Sequence, residues 1–179
     1  MADPNDAPAP PKPKLPVLQF LGIFAAVFFL LYFLSYNATV EQAVFTPYLE
    51  LNTRLSASLL RAFGEEVEPA GILLLGEDTS VEVRRGCDAV EPSALYLAAV
   101  VAYPASLLAK VVGGVLGIAF LMLVNFARIV SLFYVNRYRP DLFEVFHLEV
   151  WQAAFILLAF GTFLFWAFRV TPKTGKPQG

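Results

Sequence analysis

The sequence predicts an all-α integral membrane protein, a bundle of four transmembrane helices with an extracytoplasmic amphipathic helix and a small β-hairpin. Hydrophobic residues make up 58% of the 179 residues and charged residues only 16%, whereas soluble domains carry about 25% charged residues. Apolar runs long enough to cross a hydrocarbon core of about 30 Å recur along the chain. One long polar segment separates the first run from the others. These observations favour a polytopic membrane protein over a soluble domain.

The chain begins with a polar segment and a long apolar run. Residues 1–14 are rich in Pro, Ala and Asp, a composition that predicts a disordered tail, which we place in the cytoplasm. Residues 15–36 form the first predicted transmembrane helix. This run is longer than the core of a signal peptide and lacks a convincing small-residue cleavage site, so we expect it to be retained as an anchor.

Residues 37–91 form a polar and acidic segment outside the membrane. Apolar residues recur every three or four positions within residues 39–63, which predicts an amphipathic helix, with Pro47 as a possible interruption. Two β-prone runs, 71–75 and 79–84, then flank Gly76-Glu77-Asp78 and predict a β-hairpin. The second strand leads directly to Cys87.

Three further spans complete the predicted bundle. They cover residues 92–108, 112–135 and 150–168. An extracytoplasmic loop, residues 136–149, joins the last two spans, and residues 169–179 form a basic cytoplasmic tail. Lys110 marks the short connection between the second and third spans.

The distribution of basic residues orients the predicted bundle. The two sides carry equal numbers, with every lysine on the side of the tails and of the turn at Lys110. Short segments of this kind decide orientation most reliably, whereas Arg54 and Arg61 lie within a long loop. We therefore place both termini in the cytoplasm. In either orientation Cys87 and His147 share one side, with Arg128 about 10 Å below that surface and able to extend towards it.

Composition also excludes several classes of site. A single cysteine excludes an intramolecular disulfide and a cysteine-rich zinc site. One histidine argues against a protein-built transition-metal site, since such sites recruit several imidazoles or thiolates. The sequence has no basic patch with interleaved aromatic residues, so we expect no nucleic-acid partner. We also expect no metal and no cofactor.

Cys87 is the candidate nucleophile. A lone cysteine in a membrane protein is most often an inert small hydrophobic residue. Cys87, however, precedes a predicted helix start and follows Arg84 and Arg85, and both features lower a thiol pKa. The nearby acidic residues Asp88 and Glu91 oppose this effect.

Arg128 lies inside a predicted span, where an arginine costs about 2.5–3.5 kcal/mol and usually faces a polar site. A structural ion pair or simple extension to the surface is the alternative. Asn125 lies one turn earlier on the same helical face. This polar stripe could hold the guanidinium or face a substrate carbonyl.

His147 follows Glu144 by three residues and precedes the last span. On its own, His147 would be interpreted as an interfacial residue at the start of a helix. Together with a thiol on the same face, it becomes a candidate acid/base partner.

Three segments together give the chain a family resemblance. They are RRGCDAVEP around Cys87, NFARI from Asn125 to Ile129, and FEVFHLEVWQAAF around His147. Their order and membrane placement resemble the exosortase/archaeosortase family over about residues 80–168. The compact form and the histidine are most similar to a bacterial exosortase, of the exosortase H type. Ala89 stands where members often have Gly, and no Gly follows shortly after His147.

The resemblance implies an integral-membrane cysteine protease or transpeptidase. Such enzymes recognise the C-terminal sorting signal of secreted proteins, which comprises a short motif, a transmembrane helix and a basic tail. Cys87 would be the nucleophile, Arg128 the transition-state stabiliser and His147 the acid/base. We expect Asn125, Arg85 and Glu144 to bind substrate or support these three.

The resemblance also implies partners and a location. The partners would be sorting-signal helices, membrane lipid and an unidentified envelope acceptor. The protein would lie in the bacterial inner membrane with its active site facing the periplasm. The competing hypothesis is a non-enzymatic membrane scaffold or interaction protein, in which the hairpin binds a partner and Cys87 is incidental. An inert Cys87 thiol in alkylation of intact membranes would favour the scaffold.

Overall fold

The computed structural model describes residues 15–171, and most of them are helical. The predicted tail 1–14 and residues 172–179 of the predicted tail 169–179 lie outside this range. Three helical segments are long and apolar enough to cross a membrane. They are helix α1 (Leu15–Ser35), helix α5 (Leu107–Tyr138) and a final segment made of a π-helical turn (Val145–Val150) and helix α6 (Trp151–Val170). A shorter apolar helix, α4 (Val90–Ala102), precedes α5.

The connection between α4 and α5 differs from the sequence prediction. Helix α4 ends at Ala102 rather than at residue 108, because Tyr103 precedes Pro104 and takes an extended conformation (ψ 137°), as residues before proline do. Helix α5 begins at Leu107 and includes Lys110, which was expected to lie in the connection. The Lys110 ammonium reaches back and donates a hydrogen bond to the Val101 carbonyl at 2.6 Å.

The connection before α6 also differs, since most of the predicted loop 136–149 is helical. Helix α5 continues to Tyr138, and a 3₁₀ turn (Pro140–Leu142) and the π-helical turn follow. Pro140 fixes the start of the 3₁₀ turn, because its ring presets a helical φ angle.

The polar segment after α1 forms a helix on top of the bundle. The Asn37 side chain accepts hydrogen bonds from the amides of Thr39 and Val40 and caps helix α2 (Ala38–Val40). A π-helical turn (Glu41–Phe45) leads into helix α3 (Thr46–Ala62), with Pro47 in its first turn. Pro47 therefore does not interrupt the helix, since a proline needs no amide partner there.

A three-stranded antiparallel sheet follows, in the order β1 (Val67–Ala70), β2 (Leu73–Gly76) and β3 (Ser80–Glu82). The sequence predicts a two-stranded hairpin, and β1 is an additional strand. Pro69 in β1 argues against a strand from sequence, but β1 is an edge strand, where a proline is tolerated. The inner face packs on α3 and α5 through a buried cluster that includes Leu60, Leu74, Val81, Ile129 and Phe133.

Close contacts between helices depend on two glycines of α5. The Tyr96 ring of α4 lies against Gly117, and its hydroxyl donates to the Gly113 carbonyl at 2.7 Å. The Trp166 indole of α6 lies against Gly113 and donates to the Ala109 carbonyl at 3.1 Å. Both aromatic side chains need a partner without a Cβ atom to approach this closely.

Gly117→Ala is expected to destabilise the bundle by about 1–3 kcal/mol. An added Cβ would lie 2.2 Å from Tyr96 ring atoms, and the ring is buried and hydrogen-bonded, so it cannot move aside without loss. Thermal unfolding of the detergent-solubilised protein measures the effect. Gly161→Ala is the matched control, because an added Cβ there meets nothing within 4 Å. Equal melting temperatures for the two variants would contradict the prediction.

Candidate active site

The segment that carries Cys87 is a tight turn between β3 and α4. Gly86 has a φ of +90°, and the Cys87 amide donates to the Arg84 carbonyl at 2.9 Å. Ala89 has a φ of +55°, a left-handed conformation that costs an alanine about 1–2 kcal/mol and a glycine almost nothing. Ala89 therefore holds the turn before α4 in a conformation that a glycine would adopt at lower cost.

Side chains from two helices hold this turn. Arg128 of α5 donates to the Gly86 carbonyl at 2.8 Å, and Tyr48 of α3 donates to the Asp88 carbonyl at 2.6 Å. The Asp88 carboxylate accepts a hydrogen bond from the Val90 amide at 3.3 Å, at the start of α4. The backbone on both sides of Cys87 is therefore fixed relative to the bundle.

Cys87 and His147 are in direct contact. The distance from Cys87 Sγ to His147 Nε2 is 2.8 Å, and Cys87 is only 5% exposed. His147 lies in the π-helical turn before α6, and its ring packs on Phe143 at 5.5 Å between centroids. Short π-helical turns are frequent at functional sites. The contact allows a proton to pass from the thiol to the imidazole without an intervening water.

Arg128 links the two segments that carry Cys87 and His147. Besides its bond to the Gly86 carbonyl, it donates through Nη2 to the His147 carbonyl at 3.2 Å. The guanidinium is 3% exposed and lies 5.5 Å from the Phe155 ring centroid. Its Nε atom has no hydrogen-bond partner among the described residues. The structure thus brings the three sequence-predicted residues together, with a buried cation beside the thiol–imidazole pair.

The electrostatic environment of the thiol differs from the sequence prediction. Burial raises the pKa of the Cys87 thiol, and this effect exceeds the lowering by Arg128 and Arg84 and adds to the raising by Asp88. The prediction of a lowered pKa is therefore wrong. The Arg84 side chain is 66% exposed and pairs weakly with Glu82 at 3.9 Å, so its charge is screened. The raised pKa favours the protonated thiol, so a base that accepts the proton would promote ionisation of Cys87.

Arg85 does not contact the thiol. Its guanidinium lies over the rings of Tyr36 (5.1 Å) and Phe45 (4.1 Å) and hydrogen-bonds the Ser35 hydroxyl at 3.2 Å. It also pairs with Glu41 at 3.6 Å and with the buried Asp88 at 3.3 Å. Burial raises the pKa of Asp88, and the Arg85 charge opposes that shift. Arg85 therefore fastens the Cys87 turn to the end of α1.

Asn125 and Glu144 occupy different environments. Asn125 is fully buried one turn before Arg128, and neither of its amide atoms has a hydrogen-bond partner within residues 15–171. Glu144 is exposed, and in the same range it forms no ion pair. Their supporting roles stay predictions.

Some contacts of the site were not predicted from the sequence. The Gly86 carbonyl could have been suspected, since a glycine before the cysteine indicates a positive φ. The contacts of Phe155 and Tyr48 could not be predicted, because aromatic residues are 15% of the chain and nothing distinguishes these two from the others. In the described part of the chain, no three His, Cys, Asp or Glu side chains are grouped in a way that could hold a metal ion.

Comparison with known proteins assigns a family. The sequence model of the transmembrane exosortase family matches residues 18–169, well over half of the chain. No curated protein and no solved structure matches this chain. The matched range includes Cys87, Arg128 and His147 and all the candidate membrane spans except their outermost residues. This protein belongs to the transmembrane exosortase family.

Proposed function

We propose that this protein is a cysteine protease or transpeptidase that cleaves the C-terminal sorting signal of secreted proteins. The observation that carries the proposal is the contact of 2.8 Å between Cys87 Sγ and His147 Nε2 beside the buried Arg128 guanidinium. Exosortases are cysteine-type transpeptidases, and membership of the family supports this class of reaction.

The first half of the reaction forms a thioester. His147 Nε2 takes the Cys87 proton, and the thiolate attacks the scissile carbonyl of the substrate. Arg128 stabilises the negative charge that develops on the carbonyl oxygen, an effect worth about 2.7–4 kcal/mol for one donor in other enzymes. His147 then gives the proton to the leaving amine, the C–N bond breaks, and the sorting helix departs.

The second half resolves the thioester. His147 takes a proton from the acceptor, which is water or an amine or hydroxyl of an envelope component. The acceptor attacks the thioester carbonyl, the C–S bond breaks, and His147 returns the proton to Cys87. Water gives hydrolysis and an envelope group gives transfer.

Three further residues support this site in the proposal. Arg85 holds the Cys87 turn, as its contacts with Ser35 and Asp88 allow. The unpartnered Asn125 amide provides hydrogen-bonding capacity beneath Arg128. Glu144 acts on the imidazole charge from the surface, one helical turn away.

The proposed topology has four spans. The end of α1 contacts Arg85 in the Cys87 turn, and Asn136 near the end of α5 donates to Thr79 beside β3 at 2.8 Å, so both helices end on the same side as the sheet. If both cross the membrane, the chain must return between them. Helix α4, with 13 residues, supplies about 20 Å of that return, and residues 103–106 complete it.

We further propose that the site faces the periplasm from the bacterial inner membrane, as in a compact exosortase. Lys110, in the first turn of α5, supports a cytoplasmic location for the turn between α4 and α5. Residues 37–89 and the turn after α5 would then lie outside the cytoplasm. Substrate sorting helices, lipid and an envelope acceptor would be the partners.

Capture of the thioester tests the proposed reaction. Membranes that contain the protein and a reporter fused to a sorting signal from the same cell are treated with hydroxylamine, which converts a thioester to a hydroxamate and frees the cysteine. We expect the hydroxamate at the new C-terminus of the reporter with the wild type and none with Cys87→Ala. Mass spectrometry of the released reporter measures both. A wild type that cleaves the reporter without any hydroxamate would contradict the thioester step.

A further inference from the structure

A cleft of about 340 Å³ opens beside the candidate site, between α1, α4 and α6. Gly86 and Asp88, the two neighbours of Cys87, line it together with Arg128. Tyr32 of α1 and Ile156 of α6 also line it. Cys87 and His147 do not line it themselves, so the cleft reaches the candidate site at Arg128 and at the two residues that flank the thiol.

Gln152 contributes an uncharged polar side chain to the lining of this cleft. It lies on α6 inside a candidate membrane span, and it is exposed. Its side chain makes no hydrogen bond to any described residue. A polar side chain within a span is costly and usually faces a functional cavity. Glu91 supplies a second polar group, and its carboxylate accepts a hydrogen bond from the Tyr36 hydroxyl at 2.9 Å.

An apolar pocket of about 270 Å³ lies on the same seam between α1, α4 and α6. Leu95 lines both cavities, and the rest of the second lining is apolar, with Phe24 of α1 and Phe160 of α6 among its members. Phe24 precedes Tyr32 by two turns, which places this pocket farther from Cys87. The seam is thus polar near the candidate nucleophile and apolar beyond it.

We propose that this cleft binds the extended segment that precedes the sorting helix of the substrate, with Gln152 hydrogen-bonding its backbone. This inference rests on the proposed function. An extended segment at membrane depth has unpaired amide and carbonyl groups, which cost several kcal/mol each when left unsatisfied. Gln152 offers both a donor and an acceptor, and Glu91 an acceptor. The polar-to-apolar order of the seam matches a substrate whose polar segment leads into an apolar helix.

A larger apolar groove between α5 and α6, of about 640 Å³, does not fit this role. Its lining includes none of the three candidate catalytic residues. Phe120, the member of its lining on α5 that comes nearest to Arg128 along the helix, precedes Arg128 by about 12 Å of helix rise. A scissile segment in that groove would not reach Cys87.

Adjacent residues of α6 allow a matched test by photo-crosslinking. Ile156 lines the cleft and Leu157 lines the larger groove, and they are 51% and 70% exposed. Benzoylphenylalanine is placed at one or the other position in Cys87→Ala protein, with the same reporter and sorting signal as probe. We expect adducts at position 156 whose attachment maps to the extended segment, and several-fold fewer at position 157. Equal yields, a higher yield at position 157, or none at either position would overturn the inference.

Kinetics of Gln152→Leu give a second measurement. Loss of one or two backbone hydrogen bonds should raise KM about 2- to 10-fold, with a smaller change in kcat. Ala153→Leu is the control, because Ala153 is exposed on the same helix and does not line the cleft. Unchanged KM for Gln152→Leu would contradict the role of Gln152.

The two proposals fail in distinguishable ways. Cleavage that requires Cys87, together with adducts at position 157 alone, would overturn the cleft and leave the proposed function standing. Adducts at position 156 in a protein whose wild type does not cleave the reporter would support substrate binding in the cleft and overturn the proposed reaction.

Discussion

Replacement of Cys87 by serine is expected to abolish processing of a sorting-signal reporter. Serine keeps the size of the side chain and its contact with His147, but an alcohol is far less acidic than a thiol. Burial already raises the pKa of Cys87 itself, so the same environment leaves a hydroxyl fully protonated beside the imidazole. We expect kcat/KM to fall at least about 10³-fold, in line with removal of other enzymatic nucleophiles.

The measurement is reporter processing in cells or proteoliposomes that contain equal amounts of wild type and variant. Ser93→Ala provides the control, because Ser93 is a buried residue of the neighbouring helix α4 whose hydroxyl has no partner in the described part of the protein. We expect this control to process the reporter at nearly the wild-type rate. Processing by Cys87→Ser within tenfold of the wild type would refute Cys87 as the nucleophile.

Arg128→Lys is expected to lower kcat about 10²- to 10³-fold although the positive charge is retained. The guanidinium binds the Gly86 and His147 carbonyls through separate nitrogens. A lysine ammonium is a compact charge without this planar fork and cannot hold both carbonyls in the same geometry. One carbonyl is then left unsatisfied, which costs about 1–3 kcal/mol when it is buried. The Cys87 turn and the His147 turn consequently lose their common anchor.

Two readouts separate positioning from charge. Processing kinetics report kcat, and thermal unfolding in detergent reports the lost hydrogen bond. Arg84→Lys is the control, since Arg84 lies three residues from Cys87 but has a 66% exposed side chain. We expect Arg84→Lys to match the wild type in both measurements. If Arg128→Lys also matched it, charge alone would be sufficient and the bridging role would be wrong.

The long apolar segments could be predicted from the sequence because a membrane helix must satisfy its backbone internally and present apolar side chains. The ends of the helices and the strands of the sheet were harder to predict. Lys110 was expected to lie in the connection between two spans, yet helix α5 begins at Leu107 and the Lys110 side chain reaches back to the Val101 carbonyl. Strand β1 was not predicted; it contains Pro69 and pairs along one edge only, with β2. In both cases a contact with another segment, which no local sequence pattern encodes, decides the outcome.

The proximity of Cys87, Arg128 and His147 could be predicted from the sequence, whereas the electrostatic environment of the thiol could not. Cys87 precedes one span, Arg128 lies towards the end of the next, and His147 precedes the last. Because consecutive spans run antiparallel, this order is enough to bring all three towards the same membrane surface. The pKa of the thiol depends instead on burial and on where the neighbouring charges lie. Arg84 projects outwards and Arg85 turns towards Ser35, and no local pattern encodes these directions.

The bridge made by Arg128 has a consequence for biosynthesis. Its two carbonyl partners lie on segments separated by helices α4 and α5, and the second of them, His147, precedes the last described helix. A chain in which α6 has not yet packed against α5 has a thiol without its base and a guanidinium with one carbonyl partner. Under the proposed function, proteolytic activity therefore begins only when this final helix is in place, and a partly inserted chain is inactive.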